Sequence, residues 1–468
     1  MSVDRTPPLA PPLDRTHRIA IVGSGPSGFY AASELLARTG AEIDMFDRLL
    51  TPFGLVRAGV APDHPKIKTV TRVFDKTAQH PRFRFIGNVS VGQDITPNTL
   101  AKHYTAVIYA HGASKGRTLD ISDARLPGNH TATELVGWYN GHPDRSRLEV
   151  DLSGERAVVI GNGNVAIDIA RMLATGTDEL ATTDIADHAL AALRDSRIRE
   201  IVVLGRRGPE HAAFTHPELL ELGQMSAAGV QVLTSDLGDV LTNAAQTHDL
   251  SRTLILETLY RYATNDAPHA GKRIVLRFHS TPVEIIGDER VEAIRITHPA
   301  TDASAPNSIV TQTLPTGLVV HAIGYTGSPI DGLPFDNERG IVPNDKGRVH
   351  AADDPFAGIY TTGWIKRGPN GIIGTNRLCA KETVETLLDD LETGRLRPRH
   401  TSAIDIDTTI ASAAPRHTYY EDWKHIDAEE CRRGAARNRP RIKLTDHEEM
   451  LAVATRHRAP HELTSSEI

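Results

Sequence analysis

Residues 17–28 read His-Arg-Ile-Ala-Ile-Val-Gly-Ser-Gly-Pro-Ser-Gly, and the spacing of their glycines decides the fold. Ile19 to Val22 are apolar or small, as in a short buried parallel strand. Gly23, Gly25 and Gly28 then form a G-x-G-x-x-G turn that opens a helix over Phe29–Ala37. Gly23 allows the tight turn, Gly25 lets backbone approach a pyrophosphate, and Gly28 lets helix and strand pack closely. The helix start offers free N–H groups and the positive end of its dipole. A second strand, Ala41–Phe46, ends at Asp47, roughly 20 residues past the last glycine, where an acid suits a ribose hydroxyl pair.

Around this unit, the composition sets bounds. The chain has 468 residues, enough for two or three domains. It is 40% hydrophobic and 24% charged, as in ordinary globular proteins. A net charge of −7 argues against nucleic-acid binding. Its two cysteines, Cys379 and Cys431, are far apart, which excludes a disulfide scaffold, a thiol relay and a cysteine-ligated cluster within this chain. No apolar run reaches the roughly 18 residues of a membrane helix. Residues 1–16 are proline-rich without an apolar core, so they read as a flexible leader, and a cytoplasmic location is expected.

After Asp47, the proline- and glycine-broken stretch 51–64 is irregular and well placed to cover the reactive end of a dinucleotide. A helix is expected over Pro65–Gln79, with Asp63 as its cap. Strands follow at Phe83–Val91 and Ala106–Tyr109. The latter ends in Ala110-His111-Gly112, and a similar triplet, Ala322-Ile323-Gly324, closes a strand at Leu318–His321. These two triplets mark where the chain leaves its first domain and returns.

Between the triplets lies a second fingerprint. Strand Arg156–Ile160 leads into Gly161-Asn162-Gly163-Asn164-Val165-Ala166, a G-x-G-x-x-A turn opening a helix through Leu173. The next strand, Ile201–Leu204, ends in Gly205-Arg206-Arg207-Gly208 with no acid. A carboxylate would repel a 2′-phosphate, whereas a guanidinium fork grips one, so NADP(H) is expected here. An insertion over Thr175–Arg197 lengthens the unit. Glu218 and Glu221 lie three apart on one face of a helix within 214–222. Further on, a helix is expected over Thr253–Tyr262, antiparallel strands at Arg273–His279 and Val291–Thr297, and a polar loop at Thr301–Ser308. Residues 358–376 combine a strand, a glycine-dense loop with Trp364, and the electropositive start of an amphipathic helix suited to a reduced flavin. A tail with Arg395, Arg397, Pro398 and Arg399 runs to a final helix over Asp446–Ala454.

Taken together, these stretches resemble the adrenodoxin reductase-type ferredoxin–NADP⁺ reductases of the bacterial branch. The likeness spans Arg18 to about Leu451, and its sharpest motifs are Thr51–Arg57, Val60–Lys66, Gly161–Val165, Gly205–Pro209 and Gly363–Pro369. The insertion and the tail segment Gly434–Leu444 match as well. The resemblance implies an α/β fold of glutathione reductase type with two Rossmann-like domains. Residues 17–114 and 325–468 would form a discontinuous FAD domain and 115–324 an inserted NADP domain.

By resemblance, Ser27, Asp47, Leu55, Val89, Trp364, Gly371, Ile372 and Ile373 match flavin-contacting positions, joining Gly23, Gly25 and Gly28. Arg117, Asn162, Gly163, Asn164, Val165, Arg206, Arg207 and Glu218 match NADP positions, and Gly371 touches both cofactors. His64 and Glu221 match a His–Glu pair beside the nicotinamide and flavin. Asp47, Asn370, Leu220 and His111 depart from the residues usual at their positions. The implied partner is a ferredoxin-type iron–sulfur protein, with Lys366, Arg367, Arg377 and Lys381 as a local basic patch; no metal site is implied, and a monomer is expected. An FAD/NADPH monooxygenase and a non-enzymatic NADP-sensing protein are the alternative readings.

Overall fold

The computed structural model describes residues 13–458 except 16, 123, 239–248, 266–270, 301–307, 350–357 and 397–402. Most of the leader, most of the loop 301–308, and Arg397, Pro398 and Arg399 lie outside the described residues.

The first glycine unit folds as its spacing requires. Strand Arg18–Val22 runs into a helix, Pro26–Arg38, with Pro26 in its first turn. Strand Arg18–Val22 lies between two parallel partners, Glu42–Phe46 on one side and Ala106–Tyr109 on the other. Their neighbours are Phe83–Gly87 beyond Glu42–Phe46 and Ile359–Thr361 beyond Ala106–Tyr109, both also parallel. This parallel core is therefore assembled from segments about 250 residues apart in sequence. Short antiparallel strands, including Thr418–Tyr419 from the tail, complete an eight-stranded sheet. Alternation puts Ile19 and Ile21 on one face and Ala20 and Val22 on the other, each in its own buried cluster.

The second unit repeats the plan. Six parallel strands run in the order Asn129–Thr131, Leu318–His321, Arg156–Ile160, Glu200–Leu204, Lys272–Arg277, Ala228–Val232. The expected strand near Arg273 is thus parallel, a correction: with Leu276 and Val275 buried on opposite faces, it belongs to the sheet's interior. The strand near Val291 is antiparallel as expected, in a three-stranded sheet of Thr281–Ile286, Ala293–Pro299 and Ile309–Pro315.

The helix expected over Pro65–Gln79 is broken into Pro65–Lys68 and Thr71–Ala78. The Thr69 and Thr71 hydroxyls bond back to the Lys66 and Lys68 carbonyls in this region. Where the chain crosses between the sheets, Lys115–Gly116 pairs antiparallel with Tyr325–Thr326.

The tail ties the parts together. Glu430 is fully buried and accepts from Arg57 and Arg441, while the Arg57 guanidinium stacks 5.0 Å over Trp423. Lys443 reaches Asp184 at 3.2 Å, and Lys68 reaches the same carboxylate at 2.6 Å. Arg439 bonds Asp187 and the backbone carbonyls of Thr183 and Ile185, all within the insertion over Thr175–Arg197. Among the described residues no helix is long and apolar enough to cross a membrane.

Candidate functional site

The two glycine turns are built alike. Gly23 has φ +108°, and a side-chain carbon there would lie 2.6 Å from the Ala110 carbonyl oxygen. Gly161 has φ +126° and faces the Ala322 carbonyl in the same way. Each first glycine is thus required both by its left-handed backbone and by the adjacent Ala-x-Gly triplet, which passes against it. Gly25 has nothing within 4 Å of a would-be side chain, so the turn is open where a pyrophosphate would approach.

Asp47 sits at the end of its strand as expected. Its Oδ2 accepts from the Ser24 amide at 2.9 Å and hydroxyl at 2.5 Å, and its Oδ1 accepts from the Leu49 amide at 2.9 Å. The carboxylate therefore braces the glycine turn, leaving lone-pair capacity on Oδ1.

The Thr51–Arg57 loop lies over the turn, held by the Phe53 amide donating to the Ser24 carbonyl at 3.0 Å. Phe53 adopts φ +83°, a strained conformation for a non-glycine residue. Its ring is fixed against Phe29 and Trp423, with centroids 5.4 and 6.0 Å away. Leu55, just beyond, is exposed, and Val89 is buried.

From the other end of the chain, Gly363 (φ +78°) comes against Ser27, and its amide donates to the Cys379 sulfur at 3.2 Å. Trp364 packs 5.4 Å from Tyr325, while its Nε1 is buried without a partner. The helix Ile373–Glu392 packs on Pro26–Arg38. Gly371 and Ile372 before it are exposed, and Ile373 is half-buried. Tyr109 Oη and His111 Nδ1 are likewise enclosed without partners. Burial pushes His111 down to about 4, so its ring is neutral near pH 7. A glycine turn open to an anion, a braced ribose-side acid and an unpartnered indole N–H form a donor set that fits a flavin dinucleotide.

In the second unit, the Asn162 carbonyl accepts from the Ala213 and Phe214 amides, and Asn164 Oδ1 accepts from the Thr215 amide at 2.8 Å. These bonds pin the second turn to the segment leading into helix His216–Leu222. Gly163 is open but for Ala213 at 4.0 Å, and Val165 packs on the core. Arg206 and Arg207 are exposed, with no ion pair among the described residues. Arg117 sits at the crossing, its amide bonded to Gly324 and its Nε to the Tyr325 carbonyl.

Between the units, His64 Nε2 lies 2.8 Å from Glu221 Oε2, a contact joining residues 157 apart in sequence. Glu218 and Glu221 do not form a free solvated face. Both accept from the Arg171 Nη1 at 3.3 Å, and Arg171 also holds Asp63 and Asp168. Burial raises Asp168 to about 6, against the pull of Arg171. His64, Asp168 and Glu218 lie close enough to hold a cation, but Arg171 already supplies the positive charge they face. Asp63, expected as a helix cap, instead binds Arg171, and the helix start has no side-chain cap. Arg171 and Asp168 were not singled out in the sequence. Their signal was there: Asp168 and Arg171 share a face of a helix whose Ile167, Ile169, Ala170, Met172 and Leu173 are otherwise apolar and buried.

The expected basic patch needs correcting. Lys366 is buried, its ammonium bonded to Glu382 at 2.6 Å and to Thr383 at 3.0 Å. Arg367 donates to Asn376, and Lys381 lies 3.8 Å from Glu385. Lys366 turns inward because its neighbouring helix places Glu382 and Thr383 within reach, and Arg377 is left exposed with no ion pair among the described residues.

Two parallel sheets, each with its own glycine turn, and a junction where residues of both meet define a paired dinucleotide-binding oxidoreductase fold. Residues 17–203 match the Pyridine nucleotide-disulphide oxidoreductase family. The chain is 42% identical to the NADPH-ferredoxin reductase FprA of Mycobacterium tuberculosis (strain H37Rv), covering 94% of this chain and 99% of that one. It is 39% identical to the mitochondrial NADPH:adrenodoxin oxidoreductase of Arabidopsis thaliana, over 94% and 96% of the two chains. The structure of M. tuberculosis FprA in complex with NADPH superposes with a TM-score of 0.86 at 43% identity, covering 94% of this chain and 99% of that one. The chain belongs to the ferredoxin–NADP reductase family of the adrenodoxin reductase type.

Proposed function

We propose that this chain is an FAD-containing NADPH:ferredoxin oxidoreductase acting in the cytoplasm. Residues 17–114 and 325–468 form its flavin unit, and 115–324 its NADP unit. The observation that carries this reading is the junction itself, where His64 of the first unit meets Glu221 of the second. FprA, similar over 94% of this chain, is an NADPH-ferredoxin reductase, and a structure of it holds NADPH.

In this reading, Gly23, Gly25, Ser27, Gly28 and Asp47 hold the adenosine and pyrophosphate of FAD, with Leu55, Val89, Trp364, Gly371, Ile372 and Ile373 around its ring. Arg117, Asn162 to Val165, Arg206, Arg207 and Glu218 hold NADPH, and Gly371 borders both cofactors. When bound, the flavin supplies the chemistry: hydride acceptance from NADPH and release of single electrons to a one-electron carrier. The protein aligns the nicotinamide and excludes water from the slot. His64 and Glu221 orient the carboxamide side and set local charge. They act as positioners, since hydride transfer to a flavin needs no protein acid in that step. The acceptor is a small acidic ferredoxin-type iron–sulfur protein.

The purified chain is expected to be yellow, with flavin absorbance that bleaches on NADPH addition, and to reduce cytochrome c only when ferredoxin is present. A colourless protein, or NADPH oxidation coupled to substrate hydroxylation without ferredoxin, overturns the assignment.

A further inference from the structure

Arg171 lies on the helix Asn164–Ala174 and is only 4% exposed, yet it faces four carboxylates. Its Nε and Nη2 grip Asp63 at 2.6 and 3.1 Å, and Nη2 also meets Asp168 at 2.7 Å. Nη1 reaches Glu218 and Glu221, each at 3.3 Å. The five N–H donors of the guanidinium are matched by five acceptor contacts, in the planar fork geometry that only arginine provides.

Two of these contacts bracket one pair. The Glu221 Oε2 held by Arg171 is the same oxygen that meets His64 at 2.8 Å. Asp63, held by the other edge of the guanidinium, is the residue before His64. Arg171 therefore grips His64's partner from one side and His64's own backbone segment from the other, and in doing so joins residues of the two units.

A purely structural ion hub does not explain this arrangement well. Burying one cation among four acids carries a desolvation cost that ion pairing only partly offsets, and the acids outnumber the base. Asp168 shows that desolvation cost: burial, with Glu218 nearby, holds it above the ordinary carboxylate range although Arg171 lies beside it. What the arrangement secures is geometry, because each acid's direction is set by a separate N–H.

We propose that Arg171 is a positioning residue that sets the His64–Glu221 pair in its working geometry and couples that geometry to the seating of the two units. The proposal rests on the reading of that pair as the nicotinamide-side positioners. Lysine keeps the charge but has one nitrogen, which cannot reach Asp63, Asp168 and both glutamates together.

The test uses the full-length holoprotein with ring-¹⁵N histidine, and Arg171→Lys, Arg171→Gln, Glu221→Gln and the double variant Arg171→Lys/Glu221→Gln. The His64 Nε2 resonance, assigned by its loss in His64→Gln, is expected to move in Arg171→Lys as it does in Glu221→Gln. Single-turnover hydride transfer from NADPH should fall about tenfold, the scale of a modest misplacement, while NADP⁺ affinity changes less than about threefold. In the Glu221→Gln background, Arg171→Lys should add nothing, the signature of coupled groups.

An unmoved His64 resonance, effects that simply add, or rate, affinity and melting temperature falling together overturn the proposal. If Arg171→Gln does not fold, Arg171→Lys decides, since it keeps the charge; if that also fails to fold, Arg171 is structural and the proposal is overturned. If the resonance moves in both single variants but Glu221→Gln leaves hydride transfer unchanged, the positioning stands and the reading of the pair falls.

Discussion

Replacing Arg206 and Arg207 together by alanine tests the nucleotide assignment at its sharpest point. Both side chains are exposed and form no ion pair among the described residues, so removing them strands no buried partner. The backbone of their turn is held independently: the Gly205 amide donates to the Arg277 carbonyl at 2.8 Å, and the Arg207 carbonyl accepts from the His279 amide at 3.1 Å. The turn should therefore survive the change. Charge-assisted bonds to a phosphate are worth about 1.5–3 kcal/mol each. Their exposure places this pair at the lower end, because solvent screens the charges, and the expected sum is about 3 kcal/mol. At ~1.4 kcal/mol per decade, the KM for NADPH should rise about 100-fold. NADH has no 2′-phosphate, so its KM should change by less than about threefold. Steady-state kinetics with both nucleotides, repeated at rising ionic strength, reads this out. The NADPH advantage of the unaltered protein should also shrink as salt screens the contact. Equal losses for NADPH and NADH would refute the reasoning and move the phosphate site elsewhere.

His64→Ala should slow stopped-flow flavin reduction by about ten- to a hundredfold with little change in the KM for NADPH, since the contact lies at the reacting end; an unchanged reduction rate removes the pair from the mechanism. Asp47→Ala takes the acceptor from the Ser24 amide and hydroxyl and the Leu49 amide. An unpaired buried donor costs about 1–3 kcal/mol, so FAD fluorescence released on dilution should appear at roughly tenfold higher protein concentration, and identical retention counts against the braced-turn account. His321 is fully buried and lowered to about 4 by burial. It accepts from the Leu119 amide at Nδ1 and lies 2.8 Å from Asn129 Oδ1 at Nε2, a pairing that suits only the neutral ring. Between pH 6.5 and about 4 the unfolded chain binds the extra proton, so stability should fall as pH drops through that window, by up to about 3 kcal/mol. Urea midpoints in His321→Gln should lose that part of the slope; an unaltered slope contradicts it.

Much of this architecture was legible because short-range rules govern it. Each glycine turn, from Gly23 and from Gly161, opened the helix its spacing called for, and the strands Ala106–Tyr109 and Arg156–Ile160 appear at the expected bounds. Arg206 and Arg207 were legible because their place at a strand end depends on that strand alone. The break in Pro65–Gln79 was not, because an apolar pattern with few breakers gives no local sign of a hydroxyl bonding back to its own turn. The parallel partners of the strand near Arg273 were likewise hidden, since periodicity reports which faces are buried and not what lies beside an edge.

By itself, then, the amino-acid order determined two nucleotide-binding units, their order, and the charge that distinguishes the second, because each follows from residues within a few turns of one another. Only the tertiary structure decided the junction. Glu221 reads locally as one of two acids on a helix face, Lys366 as an exposed cation, and Arg171 as one polar residue on an apolar helix. Folding brought Glu221 to His64 across 157 residues, drew Lys366 onto Glu382, and set Arg171 among four acids. A side chain's charge is written in the sequence, but its partner is chosen by whichever segments the sheets bring within a few ångströms.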